Sequence, residues 1–252
     1  MKSTGTHSGS GVHSSGARLR DSPRNGWIFP AVALVLFLLL ATAAYRTNQP
    51  YFGWDLAVSQ AVQGISWFGL ESLLRVVCLA DNDLFQAALL VAGIGLVLAA
   101  RRAWREAAIL VGVAVVGQAL CTLSGELVGR PRPSTELIQL RIDPKEIEGF
   151  PSFPSGHTVH YTVFFGFLWF LALTKVKPPA LSWALVGVLG GLVLLVGPAR
   201  VYLGAHWSSD VMGGYLLGGA VLAAGVNLYR RWSSRSGPRE SGGADHQGAP
   251  GP

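Results

Sequence analysis

Apolar residues gather along this chain in blocks too long for strands. Six stand out, over residues 27–45, 84–100, 107–128, 158–174, 179–196 and 211–229. A helix that crosses a membrane needs about 20 mostly apolar residues, within a range of about 17 to 25. Each block falls close to that length. The last block carries no charge inside its apolar stretch but is rich in glycine. Gly213-Gly214 and Gly218-Gly219 there, and Gly190-Gly191 in the block before, would weaken a soluble helix. Between membrane helices they let backbones approach closely. Residues 51–79 break the rhythm. Apolar positions recur every three or four, with Trp54, Trp67 and Phe68 among them, but Asp55, Glu71 and Arg75 interrupt. That pattern predicts one or two helices lying on the membrane surface.

The expected fold is all-α: a bundle of six transmembrane helices with short interfacial helices in the first outer loop. Residues 1–26 and 233–252 are rich in small and polar residues and are expected to be disordered tails. The membrane domain between them spans 27–232. The first block ends in Ala41-Thr42-Ala43, which resembles a signal-peptidase site. Its 26-residue lead is long for a signal peptide, so an uncleaved anchor is expected.

Composition agrees. Of 252 residues, 50% are hydrophobic and 13% charged, against about 25% charged in a soluble domain. The net charge of +6 would suggest nucleic acid in a soluble protein. Here there is no zinc-finger spacing, RNA-binding aromatic motif or basic helix, so no nucleic-acid partner is expected. Basic residues facing the cytoplasmic lipid surface explain the charge better. With the N-terminus inside, 13 of the 20 Lys and Arg fall on the cytoplasmic side. Both termini are then cytoplasmic. Cys78 and Cys121 are isolated and read as buried thiols.

In this arrangement three polar stretches return to the outer face. They are Gly129-Arg130-Pro131-Arg132-Pro133, Phe153-Pro154-Ser155-Gly156-His157-Thr158, and the run from Arg200 through His206 to Asp210. Ser155 is a good N-cap. Gly156 and His157 would follow with free backbone N–H groups at a positive helix end, where phosphate binds. A capped helix start with a surface histidine explains the same residues. His206 and Asp210 are four apart and share a face if that turn is helical. A carboxylate can then hold one imidazole nitrogen protonated and leave the other to attack. An Asp cap behind a loop histidine is the plainer reading. Arg132 and Arg200 would be costly near a membrane without an anion, and Arg suits bidentate phosphate contact. Arg130 fits either phosphate contact or snorkelling to headgroups. His160, one turn beyond His157, reads first as a polar residue near the interface.

Together, Arg132-Pro133, Pro154-Ser155-Gly156-His157 and Arg200-x5-His206-x3-Asp210 resemble the three signature motifs of the type-2 phosphatidic acid phosphatases. The match covers roughly residues 125–210, with the motifs in the right order, and the six-helix plan looks like the integral-membrane branch. The resemblance implies a phosphatase acting on a lipid phosphate or pyrophosphate without a metal or other cofactor. It implies His206 as nucleophile through a phosphohistidine, Asp210 as its orienter and His157 as acid to the leaving oxygen. Arg132, Arg200 and the backbone at Ser155 and Gly156 would hold the phosphoryl oxygens. Its substrate would be a membrane lipid: undecaprenyl pyrophosphate first, then phosphatidic acid or phosphatidylglycerol phosphate. The active site would open at the outer leaflet.

Two positions depart from the motifs. Gly125 stands where Lys is usual, and Ala199 where Ser is usual. Losing a stabilising donor can cost about 10²–10³ in rate. Arg130 is the expected substitute cation. The alternative is a catalytically impaired relative that binds anionic lipid or a membrane partner.

Overall fold

A computed structural model describes residues 25–47, 49–79, 84–146 and 148–235. The stretches expected as disordered tails lie, but for Asn25, Gly26 and the few residues up to Arg235, outside the described residues. Among the described residues eight α-helices follow one another: α1 (Ile28–Arg46), α2 (Gly53–Gln63), α3 (Leu70–Cys78), α4 (Leu84–Ala100), α5 (Trp104–Val128), α6 (Gly156–Lys175), α7 (Pro179–Tyr202) and α8 (Ser208–Ser234). No strand is found among the described residues. The six apolar blocks are α1 and α4 to α8. The ambiguous stretch resolves into α2 and α3.

Five of these helices, α1, α5, α6, α7 and α8, are long and apolar enough to cross a membrane. They are five of the six expected spans. α4 has 17 residues, which at about 1.5 Å per residue falls a little short of the hydrocarbon core.

Helix boundaries follow local chemistry. α5 stops at Gly129, which takes φ +61° and returns its N–H to the Gly125 carbonyl at 2.8 Å. Pro131 beyond it cannot continue a helix. α7 begins with Pro179 in its first turn, where a missing N–H costs nothing. α8 begins with the Asp210 carboxylate reaching back to the Trp207 N–H at 2.9 Å, the reciprocal half of a capping box.

α6 is the central helix, with two-thirds of its apolar window covered by protein. Tyr161, Val163, Phe164 and Phe167 are all buried and cluster with Leu110 and Val113 of α5 and Val196 of α7, while buried Val159 joins Phe37 of α1, Cys121 of α5 and Leu217 of α8. Small residues set the approach of α8. A Cβ on Gly214 would lie 2.7 Å from Thr158 Cβ, and one on Gly218 would lie 2.8 Å from Thr162 Cβ. The two glycines are one turn apart and face two threonines one turn apart, a close backbone seam.

At one end of the bundle, α2 and α3 hold the long loop between α5 and α6 against the end of α7. Gln63 donates to the carbonyls of Gln139 (2.7 Å) and Tyr202 (3.1 Å). Arg141 pairs with Glu71 at 2.9 Å and donates to the Tyr202 hydroxyl at 3.1 Å. This clasp ties the loop after α5 to the end of α7.

Gly214→Ala is expected to cost about 1–3 kcal/mol through overpacking. It should lower the midpoint of thermal unfolding in detergent. Gly219→Ala, whose added carbon would meet only the Phe29 ring at 3.8 Å, should leave that midpoint unchanged.

Candidate active site

Each motif residue comes from an element end. Arg132 follows the stop of α5, His157 sits in the first turn of α6, and Arg200 in the last turn of α7. His206 lies in the turn before α8, and Asp210 in the first turn of α8. The α7–α8 turn needs Gly204, which takes φ +77° with the Gln139 carbonyl 2.5 Å from where a Cβ would be. A side chain there is excluded by both backbone conformation and space. The tight turn folds Ala205 and His206 back so that their N–H groups donate to the Arg200 carbonyl at 2.9 and 3.3 Å.

His206 is buried, with its two ring nitrogens in different company. Nδ1 lies 2.8 Å from the backbone carbonyl of Ser152. Nε2 lies 3.2 Å from Arg132 Nη1. A neutral imidazole with its proton on Nδ1 satisfies both contacts, donating to Ser152 and accepting from Arg132. Burial first, then the charges of Arg132 and Arg200, push the His206 pKa well below its usual value; the Ser152 bond opposes them only in part. The ring is therefore neutral at pH 7, with its lone pair on Nε2.

Asp210 does not hold His206 in the expected way. Its Oδ2 is 3.7 Å from Nδ1, beyond hydrogen-bond reach. That carboxylate instead accepts from the Ser152 hydroxyl, the Trp207 N–H and Arg130. Ser152 is thus the link that the sequence reading missed. Its N–H donates to the Arg130 carbonyl at 2.7 Å, its hydroxyl to Asp210, and its carbonyl receives His206. No motif marks it, because its contact with His206 runs through the backbone.

Arg132 is half-buried. It donates from Nε to Phe150 O at 3.1 Å and from Nη1 to Ala205 O at 3.0 Å. Burial, and then the neighbouring charge of Arg200, lower its pKa to about 10, with Asp210 opposing. It remains a cation at neutral pH. Arg200 is buried, and its Nε has no hydrogen-bond partner among the described residues. Two cations close enough to repel, one with an orphaned donor, suit an anion between them. The charges of Arg200 and Arg132 act on His157 as well as on His206, so the four side chains form one cluster. A cavity of about 660 Å³ opens at Arg132, lined also by Pro144, Phe150 and Pro151.

Two expectations need correction. Arg130 is not a spare cation for phosphate. Its guanidinium is locked between Asp55 Oδ2 (2.8 Å) and Asp210 Oδ1 (2.7 Å), with Ser209 Oγ at 2.6 Å and Pro50 O at 3.1 Å. The Ser155 N–H is also occupied, donating to the Asp210 carbonyl at 3.0 Å. The Ser155 hydroxyl accepts from Thr158 rather than capping the helix. Gly156, half-buried at the head of α6, and His157 keep the helix N-terminal N–H groups that have no partner within the helix. His160 turns away and stacks on Phe164 at 5.4 Å between ring centres.

The family model of the PAP2 superfamily matches residues 106–234, a segment that holds all three motif stretches. The chain belongs to the PAP2 superfamily. It is 27% identical over 194 residues to phosphatidylglycerophosphatase B of Bacillus subtilis (strain 168), an alignment covering 76% of this chain and 90% of that one. The crystal structure of a transmembrane PAP2 type phosphatidylglycerolphosphate phosphatase from Bacillus subtilis matches with a TM-score of 0.66 and 25% identity. That match covers 83% of this chain and 98% of the other. This PAP2 protein is therefore a multi-pass membrane enzyme that hydrolyses phosphoric esters, with a lipid phosphate as its class of substrate.

The position of the usual PAP2 lysine has a steric explanation. Gly125 is buried, and a Cβ there would sit 2.9 Å from Pro151 Cγ and 3.5 Å from the Phe153 carbonyl. The loop that presents Ser152 has closed over the space a lysine stem would need. Gly125→Lys is accordingly expected to lower turnover, about tenfold or more, rather than restore a missing charge. Steady-state kinetics of the variant would check this, and a gain in kcat would contradict it.

The low pKa of His206 sets a pH signature. Acting as a nucleophile, His206 would have to be neutral, and its pKa is depressed below the ordinary 6.5. The acid limb of kcat/KM, which reports the free enzyme, should therefore lie well below pH 6.5. Activity that halves at or above that pH would show a normal or raised imidazole pKa.

Proposed function

We propose that this protein is an outward-facing lipid phosphatase that works through a phosphohistidine on His206. The observation that carries this reading is the divided company of the His206 ring. Nδ1 is held at the Ser152 carbonyl, and Nε2 faces Arg132. A phosphoryl group drawn between Arg132 and Arg200 would take over Arg132's donor and leave Nε2 free to attack phosphorus. The P–O bond to the lipid breaks as the N–P bond forms. His157, at the head of α6, is protonated as the anionic substrate enters, whose negative charge offsets the two arginines, and it passes that proton to the departing oxygen. Water then attacks the phosphohistidine, with His157 as base, and releases phosphate. Phosphoryl transfer depends mainly on positioning and on cations aimed at developing negative charge. Arg132, Arg200 and the free N–H groups of Gly156 and His157 can provide both. This chemistry calls on no metal.

The substrate order follows from the relatives. Both are named for phosphatidylglycerol phosphate, so that phosphomonoester comes first. Undecaprenyl pyrophosphate and phosphatidic acid come next.

The membrane arrangement has its own support. The ends of α1 and α5 lie together, since Arg130 Nε donates to Pro50 O at 3.1 Å. The chain must return to the opposite end between them, and α4 is the helix that can carry it. α4 is thus read as a sixth, short span, and α2 and α3 as interfacial helices beside the site. Thirteen of 20 Lys and Arg then fall on the side of both termini, which supports cytoplasmic termini and a site on the outer face.

The test is phosphate release by purified protein in detergent from the three lipids, with EDTA present, beside His206→Ala. Release is expected to persist in EDTA and to fall at least about a thousandfold in the variant. Turnover that His206→Ala retains would reject the phosphohistidine. Absence of release from all three lipids would favour an impaired relative that only binds lipid.

A further inference from the structure

We propose that Asp55, on α2, is a positioning residue for the reaction, because it seats the turn that carries His206 and Asp210. Asp55 lies outside the segment matched by the PAP2 family, which starts at residue 106. Its carboxylate is wholly buried, and five donors surround it. Oδ1 accepts from the Ser209 N–H at 2.8 Å and from the Ser208 hydroxyl at 2.9 Å. Oδ2 accepts from the Ser209 hydroxyl at 2.7 Å, from Arg130 Nη2 at 2.8 Å and from the Phe52 N–H at 3.0 Å.

Two of these contacts reach beyond local stability. The Ser209 N–H is one of the orphan donors in the first turn of α8, so Asp55 caps that helix from another part of the chain. A carboxylate at that end is also favoured by the helix dipole. Trp207, the residue α8 starts from, follows His206 directly. The second contact runs through Arg130. Its guanidinium joins Asp55 to Asp210, Asp210 takes the Ser152 hydroxyl, and the Ser152 carbonyl takes His206 Nδ1. Three buried hydrogen-bonded links therefore connect the α2 carboxylate to the group that sets the His206 ring. With Asp55 neutral, Arg130 has one anionic partner in place of two, and its pull on Asp210 changes. The hydrogen bonds of Asp55 go to Phe52, Arg130, Ser208 and Ser209 and to none of Arg132, His157, Arg200 or His206, so its loss should act on the chemical step and spare binding.

This inference rests on His206 as the nucleophile, and the experiment separates the two. The probe is dioctanoyl phosphatidic acid in detergent micelles, with wild type, Asp55→Asn, Asp210→Asn, the Asp55→Asn/Asp210→Asn double variant and His206→Ala. Asp55→Asn is expected to lower kcat about 10- to 100-fold and to leave KM within about twofold. The double variant is expected to be no slower than Asp210→Asn alone, as for two residues acting through one network. A kcat for Asp55→Asn within about twofold of wild type overturns the proposal. So does a double variant whose loss is the product of the single losses. Turnover kept by His206→Ala overturns the nucleophile instead. If Asp55→Asn does not fold, Ser209→Ala removes only the hydroxyl shared by Asp55 and Arg130. Its kcat is then expected to fall about three- to tenfold, and an unchanged kcat overturns the proposal.

Discussion

Arg130 carries a charge in a place with almost no water, and the site is arranged around neutralising it. Its guanidinium is buried between the carboxylates of Asp55 and Asp210 at 2.8 and 2.7 Å. Removing one partner of such a pair typically costs about 3–5 kcal/mol, since the other charge is left buried and alone. The constraint fixes three segments at once: the loop after α5, the start of α8, and α2. Every polar side chain of the site hangs from one of these or from a neighbour held by them.

The same network explains how a neutral histidine comes to face a cation. Asp210 is engaged by Arg130, Ser152 and the Trp207 N–H, so it has little left for His206. A backbone carbonyl does that work instead, and a carbonyl cannot change its charge. His206 is consequently held as one tautomer in a positive environment, and its Nε2 is aimed at Arg132. An anion entering there would relieve the repulsion between Arg132 and Arg200 and supply a partner to the Arg200 Nε that lacks one. Order among the site's own groups and unmet demand for an anion go together.

The glycines divide along similar lines. Gly214 and Gly218 let α8 approach α6, which brings Asp210 over Ser155. Gly204 permits the turn that returns His206 to Arg200. Gly125 removes a stem so that the loop with Ser152 can close. At that last position a charge usual in the family is absent, and the space it would fill is taken by Pro151.

The run lengths of apolar residues were enough to define α1 and α4 to α8. A membrane helix satisfies its backbone internally and must be apolar over a fixed length, and that demand is local. The residues that meet at the proposed anion site, Arg132, His157, Arg200 and His206, could be singled out for a related reason. They sit at helix ends in short, fixed spacings. What the sequence did not reveal depends on contacts between distant segments. Asp55 reads as a polar interruption in a surface helix until α2 is folded onto α8, 154 positions away. Arg130 reads as a spare cation until two carboxylates enclose it. Ser152 acts mainly through its carbonyl, and every residue has one. Only the tertiary structure could decide these roles, because burial, and not residue type, determines which charges must be paired.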